Sequence, residues 1–238
     1  MKWTEHMCVD AHDTDFTETA RPASLLRYMQ TAANMQLRRL GPSNEELLNG
    51  GQAFVLSRIA ITFRRPAHAY EMLDVSSWAD AGHGYSFPRY YTIMRGDECI
   101  AEAASVWALI DVETRRPLRT TEYRPNFDYD APITPDAPLR FALPQEMPTC
   151  GTHRVTYSEV DFNMHMNNTR YLDMLTDCMD MRENEIRDVS IAFLSEAPYD
   201  SVLTIEKKEE NGVTFFRTIR EDGRINIEAL IRTVSRRK

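Results

Sequence analysis

In the run Asp161-Phe-Asn163-Met-His165-Met-Asn167-Asn168-Thr-Arg-Tyr171, an acid, an amide and an imidazole stand two residues apart. On an extended segment alternate side chains share a face, so this spacing predicts Asp161, Asn163 and His165 projecting together. The doubled asparagine then opens an amphipathic stretch. Asn167 or Asn168 is placed to cap a helix carrying Tyr171, Leu175, Cys178 and Met179 on one stripe. A carboxylate, an amide and an imidazole beside the donor-rich end of a helix are what a hydrolase needs to attack a carbonyl. A polar strand end with a capping loop would spell the same letters, so the string gains meaning only from its surroundings.

Those surroundings follow one order twice. After a weakly alternating opening over residues 3–18, a helix is predicted from Ser24 to Leu40. Leu26, Met29, Ala33, Leu37 and Leu40 form its stripe, and Gly41-Pro42 stops it. Four β-rich runs follow, over 54–63, 73–78, 87–94 and 99–110, broken by Arg-Arg-Pro66, Gly82-His-Gly84 and Arg95-Gly-Asp97. A helix followed by several strands reads as a helix laid across an antiparallel sheet. From 114 to 151 periodicity disappears and seven of the 12 prolines gather, as in an extended linker pinned to the surface. A strand is then expected over 152–160, a helix over 168–181, and strands over 189–194, 201–207, 213–219 and 225–234.

The two halves match in order. Ile59-Ala-Ile-Thr-Phe63 lies over Val189-Ser-Ile-Ala-Phe193 and Leu73-Asp-Val75 over Leu203-Thr-Ile205, both at an offset of 130. Arg27-Tyr28 is set against Arg170-Tyr171, and Asp15-Phe16 against Asp161-Phe162. Two copies of one helix-plus-sheet unit are implied, with domains at 1–113 and 152–238 around the linker 114–151. The copies differ where chemistry is expected. Thr17 and Thr19 occupy the places of Asn163 and His165, and Pro66 that of Glu196. One half is therefore expected to bind and the other to react.

Bulk properties exclude other classes. The chain has 238 residues, 42% hydrophobic and 27% charged, which describes a globular protein. No apolar run approaches the ~20 residues of a membrane span. The opening Met1-Lys-Trp-Thr-Glu-His lacks a signal peptide's apolar centre, so the cytoplasm is expected. The net charge of −8 argues against general nucleic-acid binding, and an acidic partner would need a local basic patch such as Arg38-Arg39, Arg64-Arg65 or Arg115-Arg116. Cys8, Cys99, Cys150 and Cys178 form no C-x-x-C pair, so free thiols are expected, with no disulfide and no metal. His6, His12, His68, His83 and His153 share no ligand spacing, and no cofactor is expected.

The order Asp-x-Asn-x-His-x-Asn-Asn-x-x-Tyr, the doubled unit, and Glu196 shortly before Asp200-Ser-Val-Leu203 resemble the acyl-acyl carrier protein thioesterases. The resemblance spans nearly the whole chain. It implies an α+β fold of two hotdog units in tandem, each a long helix wrapped by an antiparallel sheet. It also implies hydrolysis of a fatty acyl thioester on acyl carrier protein. Carried over by position, Asp161, Asn163, His165 and Glu196 become the catalytic set. Several members of that family have cysteine after this glutamate, where the chain has Ala197, so a carboxylate-centred mechanism is implied over a Cys–His nucleophile.

Thioester hydrolysis needs an activated water or a covalent nucleophile, donors for the oxyanion, and a route out for the thiolate. Glu196 is a general base or a direct nucleophile, and Asn163 positions water or Glu196. His165 orients the carboxylate or protonates sulfur, and a neighbouring Asp161 would bear on the carboxylate's ionisation. Backbone amides at Met166, Asn167 and Asn168 are the expected oxyanion donors. Met29 and Met35 are set either to line an acyl tunnel or to pack in the core. An acyl-coenzyme A thioesterase and a non-catalytic acyl-binding protein are the rival readings. Two fused units are compatible with a monomer or a homodimer.

Overall fold

The computed structural model describes residues 1–236. The chain divides into two compact units, Met1–Pro135 and Asp136 onward, so the division falls inside the proline-rich stretch.

In the first unit, strand β1 (Trp3–Cys8) precedes helix α1 (Pro22–Leu40) and a short helix α2 (Asn44–Asn49). Strands β2 (Gln52–Phe63), β3 (Met72–Ala79), β4 (Phe87–Arg95), β5 (Glu98–Asp111) and β6 (Pro117–Leu118) follow. They form an antiparallel sheet in the order β1-β3-β4-β5-β2, with β6 pairing to β5. Helix α1 starts two residues before its expected start because Pro22, with no amide to satisfy, suits a first turn. Gly41, at φ 70°, closes it by donating its amide to the Leu37 carbonyl. Ala23, Leu25, Leu26, Met29, Ala32, Ala33 and Leu37 turn inward and are buried, chiefly against β3. Full burial of a Leu26 or a Met29 stabilises the unit by about 1.5–3 kcal/mol each.

The inner face of this sheet carries a buried cation. Arg89 Nη1 donates to Gln36 Oε1 of α1 at 2.5 Å and to Ser77 Oγ of β3 at 2.8 Å. Burial pushes its guanidinium below the usual arginine range. Replacing Gln36 with leucine strands that cation, so Gln36→Leu should cost about 2–3 kcal/mol. Urea unfolding of Gln36→Leu alone and with Arg89→Met checks this, because the double variant should recover most of the loss. Equal stability of both variants would show that Gln36 does not support the guanidinium.

The second unit repeats the plan with β7 (Thr149–Arg154), helix α3 (Arg170–Asp177), β8 (Asn184–Phe193), β9 (Val202–Glu210), β10 (Val213–Arg220) and β11 (Ile225–Ser235). Its antiparallel order is β8-β11-β10-β9-β7, the order of the first unit element for element. Each unit thus sets helix against one antiparallel sheet, an α+β arrangement. The bulges also correspond, since register slips between Ile93 and Met94 in one unit and between Thr218 and Ile219 in the other.

Three expectations need correction. The strand placed over 152–160 ends at Arg154, and a 3-10 turn over Tyr157–Glu159 follows. There Thr156 and Glu159 bond reciprocally and bend the chain away from the ladder. The helix placed over 168–181 has only eight residues, Arg170–Asp177, against 19 in α1, so one of the two units lacks a long helix. Asp180 accepts from the Arg182 amide at 3.1 Å, and Lys207 Nζ donates to the Cys178 carbonyl at 3.0 Å. These contacts use the groups that would have carried another turn.

The match of Arg27-Tyr28 with Arg170-Tyr171 also fails. The Ser24 amide bonds Arg21 O as that of Arg170 bonds Asn167 O, which sets Tyr171 against Leu25.

Candidate active site

The segment that should have been extended is a tight turn. The Met164 amide donates to Asp161 O at 2.9 Å, that of Asp161 to His165 O at 3.3 Å, and Met164 sits at φ 62°. The alternation of Asp161, Asn163 and His165 therefore does not place three side chains on one strand face. Asp161 instead caps its own loop, with Oδ1 accepting from the Asn163 amide at 2.9 Å and Oδ2 from Asn167 Nδ2 at 3.1 Å. Asn167 in turn caps the helix entry, its Oδ1 accepting from the Thr169 amide and hydroxyl at 3.0 and 2.8 Å.

The first unit builds the same turn. The Thr17 amide donates to Asp15 Oδ1 at 2.7 Å, the Glu18 amide to Asp15 O at 3.0 Å, and Glu18 sits at φ 60°. The turn docks alike in both units: the Ala20 amide bonds Ala67 O and the Met166 amide bonds Ala197 O, each at 2.8 Å. Isolated bridges set Thr19 beside His68 and His165 beside Pro198. Tyr70 and Asp200, at φ 67° and 66°, turn the chain identically afterwards. The loop is thus a folding module, and the aspartate belongs to it whether or not chemistry is present.

What differs is the cargo. His165 Nε2 lies 3.8 Å from Glu196 Oε1, with the two side chains 22% and 40% exposed. That is ion-pair range rather than a hydrogen bond, reachable by solvent and open to a reacting group. The corresponding positions hold Thr19 and Pro66, which cannot exchange protons near neutral pH. Asn163 shares the turn with its side chain exposed.

The expected oxyanion donors are reduced. The amides of Met166 and Asn167 are spent on Ala197 O and Glu159 O, both at 2.8 Å, because they pin the turn to its neighbours. Of the three, only the Asn168 amide, at the entry to α3, has no hydrogen-bond partner among the described residues.

Met29 is fully buried in the core of the first unit, while Met35 is half-buried. All four cysteines are free, and burial raises the thiols of Cys99 and Cys178, which disfavours thiolate chemistry. Asp10, His12 and Asp13 bring ligand-type atoms within 4.8 Å of one another. The Asp13 carboxylate is already engaged by the Tyr28 hydroxyl at 2.6 Å and by Arg27 at 3.5 Å, so the group does not fit a metal.

One polar feature escaped the sequence reading. Asn226, fully buried in β11, donates through Nδ2 to the Tyr171 hydroxyl at 3.0 Å and to the Ser195 carbonyl, and accepts from Thr218 Oγ1 at 2.9 Å. Burial pushes the Tyr171 phenol up to about 12, against the Asn226 amide that bonds it. Asn226 takes the place of Ile100, but the match comes from the shared bulge; the sequence offset of 130 sets Ile100 against Leu230.

Comparison with known proteins agrees along the chain. Residues 1–124 match the acyl-ACP thioesterase N-terminal domain and residues 144–233 the acyl-ACP thioesterase C-terminal domain. A chloroplastic palmitoyl-acyl carrier protein thioesterase of Gossypium hirsutum is 19% identical over 220 residues, covering 84% of this chain and 53% of its own. The chain thus spans about half the length of that curated relative. An acyl-ACP thioesterase of Bacteroides thetaiotaomicron superposes with a TM-score of 0.82 at 20% identity, covering 98% of both chains. The 12:0-ACP thioesterase of Umbellularia californica gives 0.84 at 14%, covering 99% of this chain and 98% of the other. These superpositions establish the tandem double-hotdog fold.

Proposed function

The chain belongs to the acyl-ACP thioesterase family, and on that footing we propose that it hydrolyses fatty acyl-acyl carrier protein to a free fatty acid and the carrier thiol. The observation that carries this is His165 standing 3.8 Å from Glu196 on a turn whose twin in the first unit holds Thr19 and Pro66. The fold needs the turn, whereas only chemistry needs the pair.

Glu196, partly exposed, takes a proton from a water whose oxygen attacks the thioester carbon. The oxyanion is met by the Asn168 amide, and Asn163 orients the water. As the carbon–sulfur bond breaks, the proton held by Glu196 passes through His165 to the departing sulfur. One water is consumed, and a carboxylic acid and a thiol leave. Asp161 and Asn167 hold the turn in place. The first unit, residues 1–113 in the sequence reading, receives the acyl chain, with Met35 the more accessible of the two methionines. The unit from 152 onward performs the chemistry, in the cytoplasm and with no cofactor, as a monomer or a homodimer.

Release of carrier thiol from a panel of acyl-acyl carrier proteins, with matched acyl-coenzyme A thioesters alongside, tests the reading. Turnover that depends on the carrier is the expected result. Equal or faster turnover of the coenzyme A series would assign the activity to that substrate instead. Acyl binding without turnover of either series would leave a binding protein.

A further inference from the structure

We propose that Tyr171, Asn226 and Thr218 are positioning residues that hold the peptide carrying Glu196 in its reactive place. The inference rests on the hydrolase reading above and extends it to residues that touch no substrate.

Glu196 is clamped through both chain neighbours. Before it, the Asn226 carbonyl accepts the amides of Leu194 and Ser195 at 2.9 and 3.1 Å, and Asn226 Nδ2 donates to the Ser195 carbonyl. After it, the Ala197 carbonyl accepts the Met166 amide at 2.8 Å, while the second Nδ2 hydrogen of Asn226 goes to the Tyr171 hydroxyl at 3.0 Å. Asn226 Oδ1 takes the Thr218 hydroxyl at 2.9 Å, and Thr218 Oγ1 takes the Ile227 amide at 3.2 Å. Every hydrogen-bonding position of the Asn226 side chain amide nitrogen is then used, and a satisfied buried network admits one arrangement.

The internal repeat separates this role from folding. In the first unit the amides of Arg64 and Arg65 bond the Ile100 carbonyl at 2.8 and 3.3 Å, so Ile100 is the counterpart of Asn226. The equivalent bulge sets Ile93 against Thr218, and the helix registers set Leu25 against Tyr171. Leu25, Ile93 and Ile100 are all buried, so the same backbone closes over a fully apolar set. Burying polar groups gives no packing advantage over such a set. The network appears in the unit that has Glu196 and not at the matching place in the unit that has Pro66.

The test is the near-isosteric triple variant Tyr171→Phe/Asn226→Leu/Thr218→Val, read by steady-state kinetics on the acyl-acyl carrier protein best hydrolysed by wild type, with thermal unfolding in parallel. The expected result is a cooperative fold, kcat lower by roughly 100-fold, and KM within about threefold of wild type, as for a misplaced catalytic group. A folded triple variant with kcat within about threefold overturns the proposal and leaves the network a packing feature. Should the triple variant fail to fold, Tyr171→Phe alone decides. It should lower the melting temperature modestly, since Asn226 Nδ2 loses an acceptor, and lose about tenfold in kcat at unchanged KM, and unchanged kcat overturns the proposal. A wild type that turns over no acyl thioester overturns the functional reading itself, which is seen before any variant is made.

Discussion

Glu196→Gln should lower kcat on acyl-acyl carrier protein by about 10²–10⁴-fold, the usual contribution of a positioned general base. The substitution keeps the shape of a side chain that is 40% exposed, so the melting temperature should stay near wild type. His165→Ala should fall in the same range. The double variant should be little worse than either single one, because the two groups move one proton and act as a unit. Single-turnover release of thiol measures the step directly. Full additivity of the two losses would show that His165 and Glu196 do not share a proton path. Retention of wild-type kcat by Glu196→Gln would remove the carboxylate from the chemistry altogether.

A second large effect separates structure from chemistry in the aspartates. Asp161→Ala removes the acceptor for the Asn163 amide and for Asn167 Nδ2. Asp15→Ala removes the acceptor for the Thr17 amide and hydroxyl. Hydrogen bonds to a charged group contribute about 1.5–3 kcal/mol each, less at a partly exposed turn, so both variants should lose on the order of 1–3 kcal/mol of stability. Only Asp161→Ala should also lose catalysis, because only its turn carries His165. Urea unfolding and kcat measured on both variants check the pair. An Asp161→Ala protein of wild-type stability but no activity would return Asp161 to the catalytic set. Losses of kcat in both variants would show that the first unit's turn also serves the reaction.

Much of this protein is legible in its letters. The stripe of Leu26, Met29, Ala33 and Leu37 marks α1 to within two residues because an apolar face three or four apart has no other stable use. Ile59–Phe63 and Val189–Phe193 both lie in strands, since β-branched residues bounded by breakers favour the pleat. The repeat shows where the halves diverge, and so singles out His165 and Glu196.

Alternation misled at Asp161. Period two is shared by strands and by short-range turns, and a non-glycine residue at positive φ, Met164 here, leaves no mark in composition. The length of α3 was equally hidden, because Lys207, 29 residues beyond Cys178, supplies the contact at its end. Asn226 reads as one of several polar residues in β11 until β11 and α3 are packed together. Local chemistry is written in spacing, but a hydrogen bond spanning 55 residues, as from Asn226 to Tyr171, is decided by the tertiary fold alone. The main helices and strands in their order, and a candidate set of Asp161, Asn163, His165 and Glu196, could therefore be read from the sequence itself. Which aspartate is structural, which amides remain free, and what holds Glu196 depended on contacts that only the folded chain creates.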